Sequence, residues 1–98
     1  GPESFASLEA LARALRRRPD LRILLVGHTD AEGALPGNIA LSRRRAEAVR
    51  RRLAEVYDIA PERMRAEGVG YLAPVATNAT AEGRERNRRV EVVVDTGR

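Results

Sequence analysis

Cysteine, lysine and tryptophan are all absent from this chain of 98 residues. Without cysteine, the protein has no disulfide bonds, no thiolate metal ligands and no thiol nucleophile. The longest uninterrupted apolar run extends only from Ile23 to Val26, far short of the roughly 20 residues that a transmembrane helix needs. One phenylalanine and two tyrosines are the only aromatic residues. Disulfide scaffolds, membrane-spanning helices and base-stacking surfaces are therefore poorly supported.

All 18 basic residues are arginine, and the net charge is +4, with 33% of residues charged and 43% hydrophobic. This balance is typical of a single globular domain. The rigid guanidinium fork binds carboxylates and phosphates through two parallel hydrogen bonds, so the composition favours an anionic partner. We interpret Gly1-Pro2 as the remnant of a cleaved tag, which leaves residues 3–98 as the domain.

Apolar spacing and turn residues predict five main elements. The first is a helix of about three turns, with Ser4 or Ser7 as its N-cap and Pro19 as its stop. The others are a strand at 21–26, a helix at 38–57 capped by Asn38, a weak strand at 65–71 after one turn at 61–64, and a strand at 90–94. Loops are predicted at 28–37 and 74–87. A strand, helix, strand crossover implies a parallel pair, so the predicted fold class is an α/β sandwich.

Arg45 lies beside the apolar arc of the predicted second helix. With Val49 at zero on a helical wheel, Ala46 and Leu53 fall at about 60° and 40°, Val56 at about −20° and Arg45 at about −40°. A guanidinium near a core seam must either extend to solvent or meet an anion. Arg45 is thus a candidate binding residue, with a snorkelling side chain as the competing interpretation.

The predicted geometry brings Asp30 close to Arg45. Asp30 follows the C-terminal end of the first strand, where the second helix starts, and long helical side chains lean toward the helix N-terminus. Ligands of α/β sheets also bind beyond the carboxyl ends of strands, and the helix N-terminus at Asn38 adds a positive dipole end there. In direct contact, Asp30 and Arg45 would form a structural ion pair; a few ångströms apart, they would suit a small zwitterion. The residues alone leave both alternatives open.

Two extended patterns resemble the signature of the OmpA-like C-terminal domain family. The first is Gly27-His28-Thr29-Asp30, followed by Gly33, Asn38, Leu41-Ser42, Arg45-Ala46 and Val49. The second is Gly68-Val69-Gly70, Pro74, Asn78, Thr80, Gly83-Arg84 and Asn87-Arg88-Arg89-Val90-Glu91. The family includes outer-membrane proteins, the peptidoglycan-associated lipoprotein and flagellar stator subunits. The resemblance implies a two-layer sandwich, with a mixed sheet and helices on one face, that binds peptidoglycan noncovalently in the periplasm.

The ligand implied by the resemblance is the diaminopimelate of the peptidoglycan stem peptide, whose far end carries an ammonium and a carboxylate on one carbon. Asp30 matches the family's ammonium-binding aspartate, and Arg45 matches its carboxylate-binding arginine. The remaining implied site residues line the pocket or its rim: Asn38, Thr29, Leu41 and Arg89. No cofactor or metal ion is expected, and no enzymatic activity.

The sequence departs from the family pattern at its start. The family's fold opens with a β-strand and an acidic loop, and neither precedes Ser4, so we expect one sheet edge to be exposed. Pairing of that edge with a second copy would give a homodimer. The resemblance places the full-length protein in the periplasm, associated with the outer membrane through parts outside this sequence.

A basic helix for nucleic acid or another polyanion is the alternative function, because arginine runs occur at 43–45 and 50–52. Glu47 and Glu55 interrupt this helix, and aromatic residues for base stacking are scarce. We therefore expect no nucleic-acid partner.

Two further candidate sites overlap the same loop. His28, Asp30 and Glu32 alternate as metal ligands do, but three ligands in one tight loop rarely converge on one ion. Ser42, His28 and Asp30 have the residue types of a catalytic triad. Ser42 lies on the inner face of a helix, however, and not on a strained elbow.

Overall fold

The computed structural model describes residues 2–96 of the chain, with side chains from residue 8 onward. The elements of this part are α1 (Pro2–Arg17), β1 (Ile23–Gly27), α2 (Leu35–Glu55), a 3₁₀ turn (Pro61–Arg63), β2 (Met64–Gly68), α3 (Ala81–Asn87) and β3 (Val90–Val94). The strands form one mixed sheet in the order β2-β1-β3. β1 pairs in parallel with β2 and antiparallel with β3. The predicted α/β class and parallel pair are confirmed.

One face of the sheet carries the hydrophobic core. Ile23 and Leu25 are at most 1% exposed and alternate with half-buried residues along β1. Fully buried residues of α1 and α2 join the same cluster: Ala12, Leu15, Ala46 and Leu53. Because buried residues of both helices share this cluster with Ile23 and Leu25 of β1, the predicted arrangement with helices on one face is confirmed.

α1 begins at Pro2, upstream of both predicted N-caps, Ser4 and Ser7. The side chains of residues 2–7, and all of Gly1, lie outside the described part of the structure. Within residues 2–96, none of the helices combines the length and apolar character that crossing a bilayer requires.

The start and end of α2 differ from the prediction. α2 begins at Leu35 with Ala34 as its N-cap, and Pro36 occupies its first turn, where the missing N–H of a proline is harmless. Asn38 therefore lies inside the helix, so its prediction as the N-cap is wrong. Val56, expected on the core-facing arc, follows the last helical residue and is 58% exposed.

α2 crosses the C-terminal ends of β1 and β2 at close range. A Cβ atom at Gly27 or Gly68 would overlap Ser42, so only glycine permits this approach. The Ser42 hydroxyl donates to the carbonyl oxygen of Ile39 at 2.8 Å and accepts the N–H of Gly70 at 3.0 Å. The first half of α2 is thereby held over the strand ends, beside the Asp30 loop.

The segment 74–87, predicted as a loop, contains the seven-residue helix α3. Thr80 caps this helix, because its hydroxyl accepts the N–H of Gly83 at 3.0 Å. Gly83 in turn packs so closely on Thr77 that a Cβ atom there would clash. The prediction was wrong because Ala-Glu-Gly-Arg-Glu-Arg-Asn has no apolar periodicity; the helix depends on its cap and on contacts with the rest of the fold.

Candidate functional site

Asp30 lies in the loop after β1, and only 10% of its side chain is exposed. Its Oδ1 accepts the N–H of Glu32 at 3.0 Å, and its Oδ2 accepts from Nη1 of Arg88 at 2.6 Å. The hydrogen bond from Glu32, and then the Arg88 guanidinium, hold the pKa of Asp30 below its usual 3.8, against the opposing effect of burial. Asp30 is therefore a carboxylate at neutral and mildly acidic pH.

Arg45, which was predicted to bind the carboxylate of the ligand, lies on α2 and is half-buried. Its Nη1 is buried and has no hydrogen-bond partner among the described residues. Asp30 pairs with Arg88 and not with Arg45, so the direct structural ion pair considered from the sequence is not formed. A buried guanidinium nitrogen without an acceptor is costly.

The arginine that contacts Asp30, Arg88, was not singled out from the sequence. Its neighbour Arg89 turns elsewhere: its guanidinium binds Oε1 of Glu91 at 2.6 Å and the carbonyl oxygen of Ala73 at 3.0 Å. Successive residues entering a strand point to opposite sides, so the two arginines have different partners. The Asn-Arg-Arg motif of the sequence was the signal that could have identified Arg88. The location of Arg89 at the rim of the binding site stays a prediction.

Thr29 and Asn38 use their polar atoms to shape the Asp30 loop. The Thr29 hydroxyl donates to the carbonyl oxygen of Asp30 at 2.9 Å. Nδ2 of Asn38 donates to the carbonyl oxygens of Glu32 at 2.7 Å and Ala34 at 3.1 Å. Both residues are buried, and Leu41 is half-buried on α2. Direct contacts of these three residues with a ligand stay predictions.

A buried amide network supports the loop from the side of α3. Asn87 is fully buried, and its Oδ1 accepts the N–H groups of Val75 at 2.8 Å and Ala76 at 3.0 Å. Its Nδ2 donates to the carbonyl oxygen of Ala76 at 3.0 Å and to Oδ1 of Asn78 at 2.9 Å. The same Oδ1 of Asn78 accepts the N–H of Ala31 at 3.2 Å. The residue next to Asp30 is thus tied to α3 through two asparagines.

His28, Asp30 and Glu32 do not converge on a common point. Nε2 of His28 lies 2.9 Å from Oε1 of Glu91, while Glu32 lies 3.6 Å from Arg84. Burial, followed by the charge of a nearby arginine, lowers the pKa of His28 below its usual 6.5 despite the carboxylate of Glu91. In the part of the chain that the structure describes, no three His, Asp or Glu residues are grouped to hold a metal ion.

Ser42 is fully buried, and its hydroxyl is engaged by backbone groups on both sides. This is the environment of a packing serine and not of a nucleophile. On the opposite side of α2, Arg43, Arg44 and Arg51 are exposed to solvent, as expected for a solvated basic face.

The sequence pattern of the OmpA family matches residues 2–88. The chain belongs to the OmpA family. Outer membrane porin F of Pseudomonas aeruginosa is 45% identical over 92 residues, which cover 94% of this chain and 26% of the porin. Peptidoglycan-binding protein ArfA of Mycobacterium tuberculosis is 39% identical over 94 residues, covering 96% of this chain and 28% of ArfA. The chain thus spans little more than a quarter of the length of these two relatives.

Solved structures of other proteins have the same fold as this OmpA-family domain. The peptidoglycan-associated lipoprotein from Burkholderia pseudomallei is 34% identical with a TM-score of 0.89, over 97% of this chain and 80% of the lipoprotein chain. The cell wall anchor of the type VI secretion system from Pseudomonas aeruginosa is 41% identical with a TM-score of 0.78, over 96% and 67% of the two chains. The predicted family resemblance and mixed-sheet architecture are confirmed.

The Asp30–Arg88 pair of this OmpA-family domain is accessible to a titration experiment. In Arg88→Gln, loss of the ion pair should raise the pKa of Asp30 toward its usual 3.8. Because the folded-state pKa is depressed, the carboxylate stabilises the fold above pH 3.8, and this contribution disappears as the pH falls through the folded-state value. Carbon NMR of the Asp30 carboxyl during an acid titration measures the change. Arg86→Gln, at an exposed position two residues away, should leave the titration unaltered; an equal shift in both variants would contradict the assignment.

Proposed function

We propose that this domain binds peptidoglycan noncovalently and anchors a component of the bacterial envelope to the cell wall. The observation that carries the proposal is Arg45, whose buried Nη1 has no acceptor within the described chain. Family membership supports it: relatives with the same fold are named a peptidoglycan-associated lipoprotein and a cell wall anchor, and ArfA is named a peptidoglycan-binding protein. The corresponding location is the periplasm, next to the outer membrane.

We infer that the ligand group is the free end of diaminopimelate in the stem peptide. Its carboxylate would supply the two oxygens that the guanidinium fork of Arg45 binds best. Its ammonium, on the same carbon, would bind the carboxylate of Asp30. The absence of a direct Asp30–Arg45 ion pair supports this assignment, because both charges can then face one zwitterion.

Asp30 can receive the ammonium without losing its present partners. Each carboxylate oxygen has two lone-pair positions, and Oδ1 and Oδ2 of Asp30 each accept one recorded hydrogen bond, from Glu32 and Arg88. Arg88 then has the role of a positioning residue: its hydrogen bond fixes the carboxylate of Asp30. Thr29, Asn38, Leu41 and Arg89 are proposed to form the surrounding walls and rim.

Cosedimentation with purified sacculi tests this proposal. We expect the domain to bind diaminopimelate-type peptidoglycan and not the lysine type, because lysine lacks the terminal carboxylate that Arg45 binds. Free diaminopimelate in the buffer should compete, whereas free lysine should not. Equal binding to both wall types would overturn the assignment of Arg45.

Duplex DNA is the control for the alternative function. Its binding through the exposed arginine face of α2 would fall steeply with salt concentration. Salt-sensitive binding to DNA, together with no binding to sacculi, would favour the basic-helix function over the proposed one.

A further inference from the structure

The segment that follows β2 exposes a run of apolar residues, Leu72-Ala73-Pro74-Val75, which we call the apolar loop. Its two large side chains are exposed by 63% at Leu72 and by 53% at Val75. The whole segment 68–81 contains no charged residue, in a chain where 33% of the residues are charged. Exposed apolar runs of this kind are unfavourable in water and are tolerated mainly where they serve binding.

Two hydrogen bonds place the apolar loop beside Asp30. Before the loop, the carbonyl oxygen of Gly70 accepts the N–H of Thr29 at 2.8 Å. After the loop, Oδ1 of Asn78 accepts the N–H of Ala31 at 3.2 Å. Thr29 and Ala31 are the chain neighbours of Asp30 on either side. The segment that carries the apolar loop is therefore anchored on both sides of Asp30, at the border of the proposed binding site.

The apolar loop is held in place through its backbone. Nη2 of Arg89 donates to the carbonyl oxygen of Ala73 at 3.0 Å, and Oδ1 of Asn87 accepts the N–H of Val75 at 2.8 Å. Both contacts use backbone groups of the loop, while the side chains of Leu72 and Val75 are exposed to solvent. A surface that is already fixed loses little conformational entropy when a ligand binds to it.

We propose that the apolar loop binds the alanine methyl groups of the stem peptide whose diaminopimelate end lies between Asp30 and Arg45. This inference rests on the proposed function. The charged end of the ligand is matched by the two charged residues, and the neighbouring alanines, which are uncharged, are matched by a loop without charge. Four residues fall far short of the roughly 1,000 Å² that a stable protein–protein interface needs, so the loop suits a short peptide segment and not a second copy of the chain.

Isothermal titration calorimetry with two probes tests this inference. The probes are free diaminopimelate and the tetrapeptide L-Ala-γ-D-Glu-diaminopimelate-D-Ala, and we expect the native chain to bind the tetrapeptide more tightly. Leu72→Ser and Val75→Ser should each weaken binding of the tetrapeptide about five-fold more than binding of free diaminopimelate, because partial burial of one large aliphatic side chain contributes about that factor. Leu72→Met keeps the apolar surface and should retain the affinity for the tetrapeptide.

Val56→Ser is the matched control, because Val56 is 58% exposed at the far end of α2. It removes the same kind of apolar surface and should alter the binding of neither probe. Equal binding of the two probes by the native chain, or equal affinities of Leu72→Ser and Val56→Ser for the tetrapeptide, would overturn this inference and leave the proposed function standing. A native chain that binds neither probe would refute the proposed function, and this inference with it.

Discussion

Replacing Arg45 with alanine should abolish most binding to diaminopimelate-type peptidoglycan while leaving the fold intact. A charge-assisted hydrogen bond contributes roughly 1.5 to 3 kcal/mol, so loss of even one weakens affinity by about 10-fold to 150-fold, and a guanidinium fork makes two. The fold should tolerate the change because Nη1 of Arg45 has no hydrogen-bond partner to lose in the described structure. Thermal unfolding measured beside sacculus cosedimentation separates the two effects.

Arg44→Ala is the matched control, since Arg44 is the adjacent arginine on the same helix and is exposed. It changes the net charge equally, so any loss of binding through general electrostatics should appear in both variants. Arg45→Lys should restore little affinity, because an ammonium cannot reproduce two parallel N–H donors. A strongly destabilised Arg45→Ala would instead identify a structural role for this arginine and would contradict its assignment to the ligand.

Asn87→Asp should destabilise the domain by about 3 to 5 kcal/mol, which is comparable with the penalty for an uncompensated buried charge. The substitution preserves shape but replaces the Nδ2 donor with an oxygen. That oxygen would face two acceptors, the carbonyl oxygen of Ala76 and Oδ1 of Asn78, at a position with no exposure to solvent. A loss of this size is a large share of the stability of a small domain. Urea denaturation monitored by circular dichroism measures it.

Asn78→Asp provides the comparison, because it also replaces an amide with a carboxyl group, in the residue that accepts a hydrogen bond from Asn87. Both recorded hydrogen bonds of the Asn78 side chain are accepted by Oδ1, from Ala31 and Asn87, and a carboxylate can accept them equally well. Its cost should be about 1 kcal/mol or less. Equal destabilisation by the two variants would show that the amide network does not carry the stability assigned to it.

The elements with a strong apolar period were predictable, and those without one were not. The short apolar run of β1, bounded by turn residues, and the spacing of Ala46 and Leu53 along α2 reflect burial in a shared core, so a local pattern reports them. α3 has no such pattern, because it is held by the Thr80 cap and the buried Asn87.

Local sequence was sufficient to single out the two charged residues that we propose bind the ligand, Asp30 and Arg45. Asp30 could be located because polar residues begin abruptly at the end of an apolar strand, and Arg45 because its helical angle lies next to the core-facing arc. Both inferences depend only on the geometry of one element and its immediate connection.

The partners of those two charges were decided by the tertiary structure alone. Arg88 reaches Asp30 across 58 positions of sequence, through a register that exists only once β3 has paired with β1. That pairing directs Arg88 to the Asp30 loop and Arg89 to Glu91 and Ala73. Consequently Asp30 is held by Arg88, while the buried Nη1 of Arg45 meets no acceptor among the described residues. Periodicity reports which face of an element a residue occupies; which distant residue it meets depends on how the elements pack together.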